Sequence, residues 1–194
     1  MKIAIIDYGA GNVKSVQNAL NRLGVESFLT DNPEEIKTAE KVVFPGVGHA
    51  KAAMEILEQK QLVEVIQNLT QPVLGICLGM QLLFDKSEEG NTKCIGVING
   101  EVKPFTSKEL KTTQIGWNKL FTKENELLAG VSDDYVYYVN SYYVPYNKAY
   151  TIGWTNYGIK FSGSVKKDNY YGCQFHPEKS GSIGERILKN FVEL

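Results

Sequence analysis

The stretch VLGICLGMQLLF, residues 73–84, joins a short apolar run to a helix-like apolar run through a single cysteine. Residues 73–76 have the length and apolar character of a buried strand, and the residues after Cys77 keep helical spacing. Gly75 and Gly79 stand two residues before and two residues after the cysteine, where a sharp strand-to-helix turn has room only for small residues. The stretch therefore predicts a βα unit with a thiol at the carboxyl end of its strand.

The same alternation of strands and helices precedes this unit. Strands are predicted over residues 2–7, 25–29, 41–44 and 73–76, and helices over residues 13–23, over a short segment opened by Asn32-Pro33, and over residues 50–69. Such alternation is typical of a parallel sheet covered on both faces, in which function gathers at the carboxyl ends of the strands.

Beyond residue 90 the pattern changes to short β-rich runs separated by turns, followed by a last helix. Strands are predicted within residues 97–105, 116–121, 135–144, 150–154, 159–165 and 170–175, and the helix over residues 182–192. No linker, repeat or low-complexity segment interrupts the 194 residues. We therefore predict one α/β domain over residues 1–194, a three-layer arrangement with an open, mostly parallel or mixed sheet flanked by helices.

Composition excludes several classes of function. The chain has 21 basic and 22 acidic residues and no long block of one charge, which argues against binding to nucleic acid or a membrane surface. No run approaches the roughly 18 apolar residues of a membrane helix, and the first apolar run is too short for a signal peptide. The three cysteines form no CxxC pair and only two histidines are present, so neither a disulfide framework nor a metal site is expected. We expect a cytoplasmic protein without metal or cofactor.

Cys77 is the candidate nucleophile. At the turn its side chain would lie at the amino end of the next helix, whose free N–H groups stabilise a thiolate. The first of these groups, that of Leu78, would also receive the negative oxygen of a tetrahedral intermediate. The alternative is that Cys77 is a small buried apolar residue, the role we expect for Cys94 and Cys173.

His176 is the better of two candidate bases. It ends the strand-like run YYGCQF and is followed by Pro177 and Glu178, so the turn could bring a carboxylate beside the ring, fixing its tautomer and supporting its charge. The alternative is a strand-end histidine capped by its neighbour. His49 stands at the start of a predicted helix, where capping or a surface role is expected.

The turn PGVG, residues 45–48, ends the strand expected beside the strand of Cys77. Its glycines, Gly46 and Gly48, allow backbone N–H groups to turn inward as further oxyanion donors. The alternative is a plain strand-to-helix turn.

Three motifs together carry a family resemblance. GICLGMQ at residues 75–81, PGVG at 45–48 and FHPE at 175–178 resemble the class I, triad-type glutamine amidotransferases, which implies a flavodoxin-like fold over the whole chain. Within that family, IDYGAGNVKSV, FPGVGHA, GMQLLFDKSEEG, IGWN and QFHPEKSG are similar to the glutaminase subunits of imidazole glycerol phosphate synthases, which serve histidine biosynthesis. The resemblance implies that Cys77 attacks the side-chain amide carbon of L-glutamine, that His176 moves the proton and that Glu178 orients His176. Water then hydrolyses the glutamyl thioester.

The resemblance also implies an oxyanion hole and a substrate site. The oxyanion hole would combine the N–H of Leu78 with one from the turn of residues Gly46 to Gly48, that of Val47 after a peptide reorientation. The positions that match the family's substrate-binding residues are Gly46, Gln81, Glu89, Ser141 and Tyr142.

A partner protein is implied as well. Ammonia in water is mostly protonated at neutral pH and diffuses away, so a glutaminase that serves synthesis must release it into a sheltered path. The family's partner is a cyclase subunit of the (β/α)8-barrel type, which forms a heterodimer with the glutaminase and makes imidazole glycerol phosphate and aminoimidazole carboxamide ribotide. Asn12, Tyr137 and Lys179 match positions that face this cyclase.

Two positions depart from the family pattern. Asn140 replaces the usual histidine of the glutamine-binding strand, and Thr113-Gln114 replaces a usual Pro-His pair. These changes could mark a paralogous glutaminase that feeds ammonia to a sugar-amidinating synthase in surface-polysaccharide synthesis. A stand-alone cysteine amidohydrolase is a separate alternative. A dinucleotide-binding module is disfavoured because Lys14 stands where the third glycine of its fingerprint would be.

Overall fold

The computed structural model describes residues 2–9, 11–106 and 111–194. The strands are β1 Ile3–Ile6, β2 Ser27–Thr30, β3 Lys41–Gly46, β4 Val73–Cys77, β5 Phe84–Ser87, β6 Thr92–Lys93, β7 Ile98–Pro104, β8 Gln114–Lys119, β9 Phe121–Thr122, β10 Tyr135–Asn140, β11 Tyr142–Tyr143, β12 Thr151–Asn156, β13 Lys160–Lys167 and β14 Tyr170–Cys173. The α-helices are α1 Val13–Arg22, α2 Pro33–Thr38, α3 Ala50–Gln59, α4 Leu62–Gln67, α5 Leu78–Leu82 and α6 Gly181–Glu193, and Glu89–Asn91 and Pro177–Lys179 form 3₁₀ turns. Within these described ranges no helix is long and apolar enough to cross a membrane.

The central sheet has eight strands in the order β2-β1-β3-β4-β14-β13-β12-β9. β1 to β4 and β14 are parallel, whereas β13, β12 and β9 continue the sheet antiparallel. The predicted mixed α/β sheet is thus confirmed. Two small additional sheets, β10-β8 and β11-β7-β5-β6, lie beside it. Strands β5 and β6 were not predicted, and the helix-like run after Cys77 ends at Leu82, before Phe84 begins β5.

Helices cover both faces of this sheet, because its central strands carry apolar side chains on both faces. In β1, Ala4 and Ile6 point into one apolar cluster and Ile3 and Ile5 into the other, because successive side chains of a strand alternate between faces. The first cluster includes the buried residues of α3 and α4, and the second includes those of α1 and α6. The three layers predicted from sequence follow from this arrangement.

The boundaries of one predicted helix were wrong. Residues 50–69 form two helices, because Gln61 between α3 and α4 adopts a left-handed conformation with φ of 56°. Leu57 and Leu62, on either side of the break, are both fully buried. The apolar spacing that predicted one helix continues across Gln61. The break between the two helices could therefore not be predicted from that spacing. By contrast, the predicted helix start is confirmed at Asn32, whose side chain accepts a hydrogen bond from Glu34 N at 2.9 Å.

Candidate active site

Cys77 lies on a strained turn at the end of β4. Its φ of 54° and ψ of −110° are unusual for a residue with a side chain. After this turn, α5 packs directly against the sheet, an approach that requires glycine at two positions. A Cβ at Gly79 would lie 1.8 Å from the carbonyl oxygen of Phe44, and one at Gly75 would lie 2.8 Å from the backbone of Met80. The requirement for glycine on both sides of Cys77, predicted from sequence, is confirmed.

His176 and Glu178 form a buried pair beside this turn. The Nδ1 atom of His176 lies 2.8 Å from Oε1 of Glu178, and the two side chains are 5% and 1% exposed. Two further contacts fix the backbone of the histidine: His176 N donates to the carbonyl oxygen of Tyr137 at 2.9 Å, and the Ser180 hydroxyl donates to the carbonyl oxygen of His176 at 2.6 Å. With its Nδ1 facing the carboxylate, the ring has Nε2 left for a second partner.

The electrostatic environment favours a protonated ring. Burial lowers the pKa of His176, but hydrogen bonding and charge attraction from Cys77 and Glu178 outweigh burial and raise this pKa to about 10. At neutral pH the imidazole therefore carries a proton that it can donate to a leaving amine.

A pocket of about 260 Å³ opens where these side chains meet. Cys77 and His176 line it, whereas Gly46 does not: a Cβ there would lie 2.8 Å from Gly79 N, behind the pocket wall. The other lining residues that sequence analysis assigned to the oxyanion hole, the substrate site or the partner face are Val47, Gly48, Leu78, Gln81, Glu89, Ser141, Tyr142 and Lys179. Thr113 lines the pocket as well, so the fold brings residues from six separate segments of the chain to one concavity.

Comparison with known proteins identifies the family. The sequence profile of the family described as "Glutamine amidotransferase class-I" matches residues 4–194. The chain belongs to the class I glutamine amidotransferases. It is 49% identical to the protein named "Imidazole glycerol phosphate synthase subunit HisH" from Bacteroides fragilis, 47% to the protein of that name from Haemophilus influenzae and 44% to that from Escherichia coli. These alignments cover 100% of this chain and 100%, 98% and 100% of the three relatives.

The fold agrees with this assignment. A solved structure described as a glutamine amidotransferase matches with a TM-score of 0.77 at 14% identity, over 98% of this chain and 97% of that one. The structure of PurLQS from Thermotoga maritima matches with a TM-score of 0.74 at 16% identity, over 99% and 97% of the two chains. At such low identity the likeness concerns the fold alone.

In this amidotransferase, Gln81 belongs to a chain of hydrogen bonds that sequence analysis did not foresee. Its Nε2 donates to the carbonyl oxygen of Tyr142 at 2.9 Å and to Oε1 of Gln174 at 2.8 Å. Nε2 of Gln174 in turn lies 3.8 Å from Sγ of Cys77. Gln174 stands two residues before His176 in the FHPE region, and that proximity was the only signal that could have indicated it.

Glu89 reaches the pocket from the 3₁₀ turn after β5. One of its carboxylate oxygens, Oε2, accepts a hydrogen bond from Ala50 N at 2.7 Å, at the start of α3. His49 caps the same helix, since its Nδ1 accepts from Lys51 N at 3.2 Å. The expected capping role of His49 is confirmed.

The two departures from the family pattern lie side by side. Asn140 and Gln114 are directly opposite each other on β10 and β8, and both are buried. Both side-chain polar atoms of Gln114 and Oδ1 of Asn140 lack a hydrogen-bond partner in the described part of the chain, while Nδ2 of Asn140 donates to the carbonyl oxygen of Tyr142 at 2.9 Å. Beside them, the hydroxyls of Thr113 and Ser141 lie 2.7 Å apart. Asn140 and Thr113 line the pocket, whereas Gln114 does not.

The outer face of β8 and β10, which we call the β8–β10 face, is apolar and exposed. Ile115, Trp117 and Tyr135 on it are 68%, 55% and 59% exposed. The Trp117 and Tyr137 rings lie 5.9 Å apart on this face. Sequence analysis assigned Tyr137 to a partner interface but missed the other three, because their exposure depends on how the two strands pack. Exposed apolar clusters of this kind are typical of protein interfaces.

Asn12 and Lys179, the other two predicted interface residues, are both exposed. Asn12 caps α1, accepting from Ser15 N at 3.4 Å, and Lys179 ends the 3₁₀ turn that carries Glu178. The two remaining cysteines are buried, and burial raises the pKa of both Cys94 and Cys173 to about 12. These thiols are therefore poor nucleophiles, in keeping with the packing role we expected.

Proposed function

We propose that the chain is the cytoplasmic glutaminase subunit of an imidazole glycerol phosphate synthase, which hydrolyses L-glutamine and passes the ammonia to a cyclase subunit. The observation that carries this proposal is that Cys77 and His176 line one pocket of a class I amidotransferase, with Glu178 hydrogen-bonded to His176 behind it. The names of relatives that are 44–49% identical over the full chain support the choice of synthase. The three cysteines are free thiols, as a reducing compartment requires.

The chemistry begins with attack of the Cys77 thiolate on the side-chain amide carbon of glutamine. A sulfur–carbon bond forms and the carbonyl oxygen becomes an anion, which the N–H of Leu78 receives. Collapse of this intermediate breaks the carbon–nitrogen bond, and protonated His176 gives its proton to the departing nitrogen, which leaves as ammonia. The now neutral ring takes a proton from water, the hydroxide attacks the thioester, and glutamate leaves as the thiolate is regenerated. Glu178 holds the ring throughout through Nδ1.

A second oxyanion donor comes from the glycine turn. Val47 is 42% exposed and Gly48 has a φ of +99°, with no atom within 4 Å of the position a Cβ would take. The N–H of Val47 belongs to the peptide that joins Gly46 to Val47, and neither of the glycines beside Val47 has a side chain to oppose rotation of that peptide. Rotation brings the N–H of Val47 toward the oxygen that Leu78 already binds.

The pocket suits a free amino acid. Gln81 donates both hydrogens of its amide nitrogen to other groups of the protein. Its carbonyl oxygen Oε1 is therefore the side-chain atom left to accept a hydrogen bond from a ligand. Glu89 likewise has one carboxylate oxygen left after capping Ala50. These two acceptors bind the α-ammonium group of glutamine. The backbone of Ser141 and Tyr142 receives the carboxylate end.

We further infer that the partner is a (β/α)8-barrel cyclase that forms a heterodimer on the β8–β10 face. Tyr137 belongs to this face. Its backbone is hydrogen-bonded to the segment that contains His176 and Lys179, since Tyr137 N donates to the Ser180 hydroxyl at 3.0 Å. Asn12 completes the interface from the start of α1. A partner seated there covers the pocket and shelters the ammonia released at Cys77.

Co-expression with candidate barrel cyclases tests the proposal. Each purified complex is supplied with the cyclase's phosphoribosyl ligand, and glutamate release is followed. We expect the cyclase of histidine biosynthesis to bind and its ligand to stimulate glutamate release. If only the cyclase-like subunit of a sugar-amidinating synthase binds and responds, the paralogue is the correct assignment. A constant rate with every partner would instead support a stand-alone amidohydrolase.

A further inference from the structure

Two buried glutamines connect the thiol to the strand that lines the substrate pocket. Gln174 is 0% exposed and Gln81 is 5% exposed. The chain of contacts runs from the carbonyl oxygen of Tyr142 to Gln81 at 2.9 Å, from Gln81 to Gln174 at 2.8 Å, and from Gln174 to Sγ of Cys77 at 3.8 Å. A buried amide is costly unless its atoms are hydrogen-bonded, so its partners reveal what the side chain does.

The orientation of both amides follows from one fixed group. The carbonyl oxygen of Tyr142 can only accept, so the atom of Gln81 that faces it must be Nε2. The second hydrogen of the same nitrogen points to Gln174, which must therefore present Oε1. With its oxygen committed to Gln81, Gln174 directs Nε2 and its hydrogens toward the sulfur of Cys77. The assignment of nitrogen and oxygen in Gln174 is thus dictated by the network.

Besides the imidazole of His176, the sulfur of Cys77 has two contacts of opposite character. Sγ of Cys77 lies 3.7 Å from the carbonyl oxygen of Val139, which can accept the thiol hydrogen but offers nothing to a thiolate. Nε2 of Gln174 is a donor and strengthens its hydrogen bond when the sulfur becomes negative. The first contact suits the protonated sulfur and the second the anion.

We propose that Gln174 is a positioning residue that holds an amide hydrogen toward the sulfur of Cys77 and so favours its thiolate form. Through Gln81 the same residue ties the nucleophile to the substrate pocket. This inference rests on the proposed function in so far as Cys77 is the nucleophile. Alkylation of Cys77 itself reports on the sulfur whether or not glutamine is the substrate.

The test uses two substitutions of Gln174 in the complete chain. Gln174→Glu keeps the acceptor for Gln81 but turns a carboxylate oxygen toward the sulfur, and Gln174→Met has a similar volume without either hydrogen bond. The matched control is Gln71→Glu, because Gln71 also donates to a backbone carbonyl, that of Ile36 at 2.9 Å, but belongs to the segment before β4 and does not line the pocket. Iodoacetamide labelling of Cys77 is followed by mass spectrometry across pH, together with kcat and KM for glutamine.

We expect Gln174→Glu to slow labelling of Cys77 at neutral pH by about tenfold to a hundredfold, because a hydrogen bond to a charged group is lost and a repulsion is added. In this variant, labelling should reach half of its maximal rate at a higher pH than in the unsubstituted protein. The kcat for glutamine should fall by a larger factor than KM rises. Gln174→Met should change the labelling rate and kcat in the same direction by a smaller factor, and the control Gln71→Glu should leave the labelling rate and kcat unchanged.

Labelling profiles of both Gln174 variants that coincide with that of the unsubstituted protein would overturn the proposal, as would a change in KM alone. If Gln174→Glu does not fold, as judged by thermal unfolding, Gln174→Met decides the question by the same two readouts. The proposed function is tested separately with a Cys77→Ala variant: glutamine turnover by this variant would contradict the proposed function, whatever the labelling experiment shows.

Discussion

Gly46 and Cys77 lie directly opposite each other in the register of β3 and β4. The glycine turn and the thiol therefore leave the sheet side by side, at the carboxyl edge where parallel α/β sheets bind their ligands. Gly46 also touches the start of α5, since a Cβ on it would lie 3.1 Å from Cβ of Leu78. The positions of the proposed nucleophile and of both proposed oxyanion donors thus depend on the contact between α5 and β3.

Substitution at Gly79 tests that contact. Gly79→Ala places a Cβ 1.8 Å from the carbonyl oxygen of Phe44, and because both groups are part of the backbone framework, α5 must shift. We expect a loss of about 3 kcal/mol in the free energy of unfolding, measured with urea, together with loss of glutamine turnover. In the control Gly130→Ala no atom lies within 4 Å, so only the left-handed φ of +72° is strained, at about 1 kcal/mol. Equal stability of the two variants would contradict this account.

The raised pKa of His176 predicts a pH dependence of stability. Since its pKa rises from 6.5 to about 10 on folding, the protonated ring stabilises the folded state fully below pH 6.5, and this contribution is lost as the pH rises through about 10. The free energy of unfolding should therefore fall over this pH window by more in the unsubstituted protein than in His176→Asn. The same variant should lose several orders of magnitude in kcat, as expected for loss of the proton carrier. Parallel stability curves would argue against a charged ring.

Trp117 should anchor the partner. Trp117→Ala removes a 55% exposed ring from the centre of the β8–β10 face, and we expect the affinity for the cyclase, measured by titration calorimetry, to fall by about tenfold or more. Ile159→Ala is a suitable control because Ile159 is 47% exposed and lies between β12 and β13, on a different sheet. Equal losses in the two variants would place the interface elsewhere.

Lys179 should couple the partner to the pocket. It is exposed, lines the pocket and follows Glu178 directly, so it is placed to contact both the cyclase and the triad segment. In Lys179→Ala we expect binding of the cyclase to persist while stimulation of glutamine hydrolysis by the cyclase ligand falls severalfold. Lys189→Ala, in the last turns of α6, provides the control. Lower stability of the free subunit without any change in stimulation would assign Lys179 a structural role only.

Local chemistry made much of this site predictable. The sharp turn at Cys77 requires glycines two residues before and after it, and the carboxylate that contacts His176 stands two residues after it. Both features can therefore be recognised within a few residues of sequence. The alternation of strand and helix then brings such segments to the same sheet edge. The proposed triad could therefore be predicted from sequence alone.

Other features depend on contacts that no local pattern contains. The role of Gln174 follows from the partners of Gln81, 93 residues away, and the direction of its hydrogens follows from the carbonyl of Tyr142. The left-handed Gln61 interrupts a helix without disturbing its apolar spacing. The exposure of Trp117 depends on how β8 pairs: among the described residues it pairs with β10 and does not join the central sheet.

The most direct test of the central claim is the activity of Cys77→Ala in complex with the cyclase, assayed with glutamine and, separately, with ammonium salt. Cys94→Ala serves as the control, because that thiol is buried away from the pocket. We predict that Cys77→Ala supports synthesis from ammonia at the unsubstituted rate and hydrolyses no glutamine. Normal glutamine hydrolysis by this variant would contradict the assignment of Cys77 as the nucleophile.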